Sequence, residues 1–202
     1  LLTRHGNRFC AQLYGTGVDT VIPARAGARY VLHLLHSMLI RPTPVETEGT
    51  RLHELLQSAA TTIKRRSTVF VVSDFISSPG WEKPLGQLAQ GHDVVAVRLL
   101  DPMELELPDL GLIPIRDAET GEHLLVDTHD SGFRKRFARI AAQREADLRL
   151  ALGNAGVDTL ELSTDDDLVN AMLRFTELRK RRTRLAGAGR AGGMSVHLKA
   201  VA

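Results

Sequence analysis

The sequence predicts an α/β fold with a mainly parallel sheet, and three observations carry that expectation. Two runs, Thr68–Val72 (TVFVV) and Val94–Leu100 (VVAVRLL), are almost continuously β-branched or aliphatic, as strands are when both faces of their sheet are covered. Segments with apolar residues at helical spacing precede, separate and follow them. The length of 202 residues suits a single core, and strands alternating with helices around one core build a parallel sheet.

Taken in chain order, Arg8–Tyr14 (RFCAQLY) and Val18–Ile22 (VDTVI) flank Gly15-Thr16-Gly17, which predicts a β-hairpin. Val31, Leu34/Leu35 and Met38/Leu39 recur at helical spacing and predict a helix over Gly27–Ile40, closed by Pro42 and Pro44. A second helix is expected from about Thr50 to Arg66. Leu52, Leu55, Leu56, Ala59, Ala60 and Ile63 share one face of it, and Lys64, Arg65 and Arg66 occupy its last turn, where the helix dipole favours cations. A short helix near Trp81–Gln90 separates the two buried strands. Two strand-like pieces within Ile113–Asp127, on either side of Glu119-Thr120-Gly121-Glu122, predict a second hairpin. Phe133, Phe137, Ile140/Ala141, Leu148 and Leu152 then predict a long helix from Gly132, ended by Gly153-Asn154. Val157–Leu162 (VDTLEL) alternates, which predicts an outer strand with one face in water. Ser163–Asp166 is expected to cap a last helix running to about Leu178. Beyond it, Ala186–Gly193 (AGAGRAGG) is too glycine-rich to predict regular structure.

Composition narrows the function classes. With 43% hydrophobic and 25% charged residues the chain is neither disordered nor low-complexity, and with one Trp, two Tyr and six Phe its core must be aliphatic. The single cysteine, Cys10, forms no internal disulfide and is expected to be a small buried apolar residue. With nothing in its cysteine usage to suggest an oxidising compartment, a cytoplasmic protein is expected, and no apolar stretch of about 18 residues is present to predict a membrane span. Leu1-Leu2-Thr3, without an initiator Met, suggests a chain that begins partway through a domain. Charge divides unevenly: residues 1–178 carry 19 basic against 24 acidic side chains, net −5, whereas Arg179–Lys199 holds seven basic residues and no acid. The expected organisation is therefore a domain over 1–178 and a basic, Gly/Ala-rich tail over 179–202.

Ligands in open α/β sheets sit beyond the carboxyl ends of central strands. Asp74 and Asp101 directly follow the two buried strands, and Gly49-Thr50 opens the helix upstream of the first. Hydroxyl and carboxylate oxygens in a hydrated site suit Mg²⁺. Leu13-Tyr14-Gly15, Ile22-Pro23, Glu48-Gly49-Thr50 and Val72-Ser73-Asp74-Phe75 together resemble the later half of a von Willebrand factor A-type domain. His92-Asp93-Val94, Asp101-Pro102-Met103-Glu104, Leu107-Pro108-Asp109-Leu110-Gly111 and Asp117-Ala118-Glu119-Thr120-Gly121 more narrowly resemble a bacterial family called domain of unknown function 58. Its members are often encoded beside MoxR-type AAA+ ATPases. The resemblance covers about residues 5–182.

The resemblance implies a von Willebrand A-like, Rossmann-like three-layer sandwich that lacks its first, central strand and the helix after it. It implies a non-enzymatic metal ion-dependent adhesion site in which Thr50 and Asp74 are ligands. The Asp-x-Ser-x-Ser element that would supply the other ligands belongs to the absent strand, and Asp74-Phe75-Ile76-Ser77-Ser78 has the wrong spacing to replace it. Mg²⁺ is therefore expected only if that motif is supplied, and strand Thr68–Val72 is left short of a neighbour unless another segment or chain provides one. The implied partners are a MoxR-type AAA+ ATPase and an unidentified client protein.

Other features weigh less. Arg179-Lys180-Arg181-Arg182 with Arg184 could attract phosphate backbones, so nonspecific nucleic-acid binding through the tail is the alternative function. It has no interleaved aromatics for base stacking. Gly187-x-Gly189-x-x-Gly192 matches the dinucleotide fingerprint formally but lacks the flanking strand and helix. His33/His36 are expected at the edge of an apolar helix face, Asp165-Asp166-Asp167 in a helix first turn, and Arg134-Lys135-Arg136 with Arg139 on an exposed helix side. A hydrolase using Asp74 and Asp101 lacks a general base, because His92 precedes its strand and lies at the opposite sheet edge.

Overall fold

The two apolar runs are neighbouring parallel strands in a computed structural model that describes residues 7–15, 17–41, 50–116, 123–188 and 197–199. A hairpin of β1 (Arg8–Tyr14) and β2 (Val18–Ala26) is followed by α1 (Ala28–Leu39) and α2 (Leu52–Thr62). Then come β3 (Thr68–Ser73), α3 (Glu82–Gly91), β4 (Asp93–Leu100), a 3-10 turn (Pro102–Glu104) and a second hairpin, β5 (Leu112–Arg116) with β6 (His123–Asp127). α4 (Ser131–Asn154), β7 (Asp158–Ser163), α5 (Leu168–Ala188) and β8 (His197–Lys199) complete the order. The main sheet runs β3-β4-β7-β8, all parallel.

Register assigns the faces. Val69, Val71 and Ser73 stand beside Val94, Ala96 and Arg98, and their apolar members pack under α2, α3 and α4 with Leu56, Trp81, Leu85, Leu88 and Leu152. The opposite face of β4 and β7, Val95, Val97, Leu160 and Leu162, is covered by Ala171 and Phe175 of α5. That cover stops short of β3, where Phe70 and Val72 stay 50% and 58% exposed. β3 also has no hydrogen-bonded neighbour on its outer side among the described residues. The first hairpin is a separate sheet, joined to α2 by Gln12 Nε2 to Thr62 Oγ1 (3.0 Å) and Tyr14 OH to Glu54 Oε2 (3.1 Å).

Several expectations need correcting. β7 is buried along Asp158–Leu162 rather than half in water, because its charged residues Asp158 and Glu161 are ion-paired inside. α2 ends at Thr62, so Lys64–Arg66 lie beyond its last turn. α4 continues through Gly153 and Asn154 and stops at Ala155-Gly156, where Gly156 takes φ +69°, the left-handed conformation that ends helices. Ile140 is exposed, and the buried row is Ala141, Glu145, Leu148 and Leu152. Cys10 is exposed on the hairpin. α5 runs past Leu178 to Ala188 and so takes in Gly187; Glu119–Glu122 and 189–193 lie outside the described residues.

Truncating fully buried Leu85 to Ala should cost about 2–5 kcal/mol in urea unfolding. Phe70→Lys, on the uncovered strip, should leave the midpoint nearly unchanged and reduce self-association at high protein concentration, read by light scattering.

Candidate functional site

Because β3 and β4 pair in parallel with Ser73 beside Arg98, the residues that follow both strands emerge together. Asp74 Oδ1 accepts from the Ile76 N–H at 3.0 Å, and Ser73 Oγ accepts from the Phe75 N–H at 3.0 Å. Between them Phe75 takes φ +62°, which costs a residue with a Cβ roughly 1–2 kcal/mol. Burial of the Phe75 ring, 5.3 Å from the Trp81 ring, offsets that cost, at about 1.5–3 kcal/mol for a large apolar side chain. The loop is also tied to the start of α2: the Thr50 carbonyl accepts from Ser77 Oγ at 2.7 Å and from the Ser78 N–H at 3.0 Å. Ser77 Oγ in turn accepts from the Leu52 N–H at 2.9 Å. Thr50 and the Asp74 loop are thus brought together, with the Thr50 main chain making the tie.

Asp101 Oδ1 accepts from the Met103 N–H at 2.9 Å and caps the 3-10 turn. This turn places Glu104 close to both aspartates. Burial first, then the charges of Asp74 and Asp101, push the Glu104 carboxyl above its usual range, while Arg98 and Arg144 pull it down. Asp74, Ile76, Arg98, Glu104 and Arg144 line one cavity of about 30 Å³. Sequence reasoning found Asp74 and Asp101 and missed Glu104, although the Asp-Pro-Met-Glu motif contains it.

Behind the acids lies a buried ion network. Arg98 of β4 is bidentate to Glu145 of α4, one contact at 2.5 Å, and lies 3.9 Å from Glu161 of β7. Arg149 approaches Glu145 and Glu161, each at 3.6 Å. Arg98, Glu145 and Glu161 are 3%, 7% and 5% exposed, and Arg98 Nε has no hydrogen-bond partner.

The residues present do not fit an Mg²⁺ site. An octahedral ion needs several oxygens free to turn toward it. Asp74 Oδ1 and Ser77 Oγ are already engaged in the loop, and two guanidinium groups share the cavity with the carboxylates. Among the described residues no three His, Cys, Asp or Glu side chains are grouped to hold a metal.

The other candidates have local explanations. His33 and His36 are exposed. Asp167 Oδ1 caps α5 through the Val169 and Asn170 N–H groups, each at 3.1 Å, and these bonds hold its carboxyl below the usual range, the Asn170 N–H most. Arg134 is partly buried, pairing with Asp109 at 3.1 Å and with the Thr128 carbonyl. In the basic segment, Arg179 binds Asp158 at 2.7 Å and Asp93 at 2.5 Å, and Arg182 also binds Asp158. Two of its five clustered cations therefore fasten α5 to the sheet.

Residues 1–147 match the family described as "Protein of unknown function DUF58". The chain belongs to this family. An uncharacterized Mycobacterium avium protein is 36% identical over 163 residues, 80% of this chain and 95% of the relative. An uncharacterized protein of Mycobacterium tuberculosis H37Rv is 33% identical over 177 residues, 87% of this chain and 55% of the relative, so the DUF58 chain described here spans about half of that protein. Among solved structures, the conserved hypothetical protein BatB of Bacteroides thetaiotaomicron is similar at TM-score 0.45 and 12% identity, over 88% of this chain and 80% of its own. An aerotolerance-related membrane protein of Bacteroides fragilis gives 0.43 at 12% identity, over 88% and 79%. Among the described residues of this DUF58 chain, no helix is long and apolar enough to cross a membrane.

Replacing Arg98 by Met should cost about 3–5 kcal/mol in chemical unfolding, since it takes the buried cation from Glu145 and Glu161 and leaves them only the half-exposed Arg149. Glu104 gives a pH test. A carboxyl raised in the fold stabilises while protonated and loses that contribution as pH rises through its folded value. Glu104→Gln should therefore raise Tm at pH 7, and the gain should vanish below the ordinary Glu value of about 4.3.

Proposed function

We propose that this DUF58 chain is a non-enzymatic protein-interaction module of von Willebrand A-like architecture, working with a MoxR-type AAA+ ATPase in the assembly or remodelling of a client complex. The observation that carries the reading is the acidic face at the carboxyl ends of β3 and β4. Asp74 and Asp101 are fixed there by their own turns, and Glu104 is pushed up beside them. Carboxylates held by backbone turns rather than by a nucleophile or base form a recognition surface, and complementary charge on a partner steers its docking.

In this reading the adhesion site is incomplete, and Thr50 and Asp74 contribute shape and charge rather than a populated Mg²⁺ site. Nucleic-acid binding by the tail is disfavoured because Arg179 and Arg182 are spent on Asp93 and Asp158.

Affinity capture with this chain as bait should recover the MoxR-type ATPase of the same genome. Asp74→Asn, which keeps the Oδ1 acceptor for the Ile76 N–H and removes the charge, should weaken recovery markedly with Tm little changed. Repeated failure of the unaltered chain to capture the ATPase would sink the pairing. Calorimetric titration with Mg²⁺ should show no saturable heat, and micromolar affinity would overturn the incomplete-site reading.

A further inference from the structure

α1 is a twelve-residue helix with no buried residue. Tyr30, Val31, Leu34 and Ser37 are its less exposed positions and set the side turned to the hairpin, where the Tyr30 hydroxyl donates to the Pro23 carbonyl. The outward side is not polar. Leu32, Leu35 and Leu39 are 65%, 48% and 84% exposed and, spaced by three and four residues, form one stripe. Met38 and Ile40 extend it at the carboxyl end. Arg29, His33 and His36 border the stripe, and the helix contains no acid.

Among the described residues that adjoin it in sequence, the charge is mostly of one sign. Residues 7–41 hold four arginines and one aspartate, net +3, in a body whose total to residue 178 is −5. The aspartate, Asp19, is paired with Arg41. Arg8 and Arg25 lie exposed in the strand pair that leads into α1, close in register to each other, with Arg29 in the first turn. An exposed leucine stripe beside Arg29, with Arg8 and Arg25 in the adjoining strands and no acid on the helix, has the composition of a helix lying in the plane of a lipid interface. The apolar side enters the acyl boundary and the arginines meet anionic headgroups. A protein groove would take the leucines equally well but gives no reason for a one-signed border.

We propose that α1, with Arg8, Arg25 and Arg29, is a docking surface for an anionic lipid bilayer. The test is sedimentation of the full chain with phosphatidylcholine vesicles that do or do not contain phosphatidylglycerol. Binding is expected only to the anionic vesicles and should weaken with added salt. Leu35→Glu/Leu39→Glu should reduce the partition coefficient by at least about tenfold with Tm and far-UV circular dichroism unchanged. Arg25→Glu/Arg29→Glu, which spares the stripe, should also reduce it and keeps the test valid if the first variant misfolds.

No binding to anionic vesicles would overturn the proposal. So would binding that survives both variants, or that is lost only with Lys180→Glu/Arg181→Glu on α5. A dimer of the unaltered chain that Leu39→Glu converts to monomer would give the stripe to a second copy and overturn it too. None of these outcomes depends on whether the ATPase is captured.

Discussion

The guanidinium of Arg98 constrains the rest of the molecule. It sits toward the carboxyl end of the largely buried strand β4, where an unpaired ion costs several kcal/mol, and among the described residues Glu145 of α4 and Glu161 of β7 answer it. Those carboxylates are themselves buried, so none of the three charges can be satisfied alone. Shifting α4 by one turn would move Glu145 about 5.4 Å along the helix and strand all three. Hydrophobic packing would tolerate such a shift better, since Ala141, Leu148 and Leu152 are apolar neighbours of similar kind. The pairing therefore fixes the register of α4 over the sheet. It also fixes where Arg144, one residue before Glu145, enters the cavity beside Asp74 and Glu104.

This constraint explains which parts of the fold were legible in the sequence. The hairpins, the five helices and the strands β3, β4 and β7 follow from apolar spacing and turn residues, with most ends displaced by a few positions and α5 ending at Ala188 rather than near Leu178. The misreadings with the widest consequences concern charged residues. Val157–Leu162 alternates as a half-exposed strand does, yet Asp158 and Glu161 point into the protein because Arg179, Arg182, Arg98 and Arg149 wait there. Glu145 occupies a core position of α4 for the same reason. Arg98 and Glu145 are 47 residues apart, and Arg179 and Asp93 are 86. No local pattern announces such partners, and a rule that sends charge to water fails where they exist.

The candidate site divides along the same line. Asp74 and Asp101 could be read because parallel neighbours deliver their following residues to one edge, a consequence of topology alone. Glu104 could not, because its place depends on the cap that Asp101 makes for the 3-10 turn. Thr50 lies against the Asp74 loop, where its carbonyl accepts from Ser77 and Ser78, a bond that any residue could supply. β3 is a different case: Thr-Val-Phe-Val-Val carries no lysine, proline or bulge of the kind that protects natural edges. It is written for a sheet with a neighbour on each side and a cover on both faces, and Phe70 and Val72 show where the described residues stop providing them.

Charge then decides how the two surfaces can be used together. The sequence divides at residue 178 into an acidic body and a basic tail, but Arg179 and Arg182 bind acids of the body, so the tail is less free than its composition implies. The concentrated positive charge among the described residues that lacks such commitments includes Arg25 just before α1 and Arg29 in its first turn, while the concentrated negative charge is at the ends of β3 and β4. An anionic surface that attracts the first repels the second over distances up to the Debye length, about 8 Å at physiological salt. A chain resting on such a surface through α1 must therefore hold Asp74, Asp101 and Glu104 away from it, open to a protein partner approaching from water.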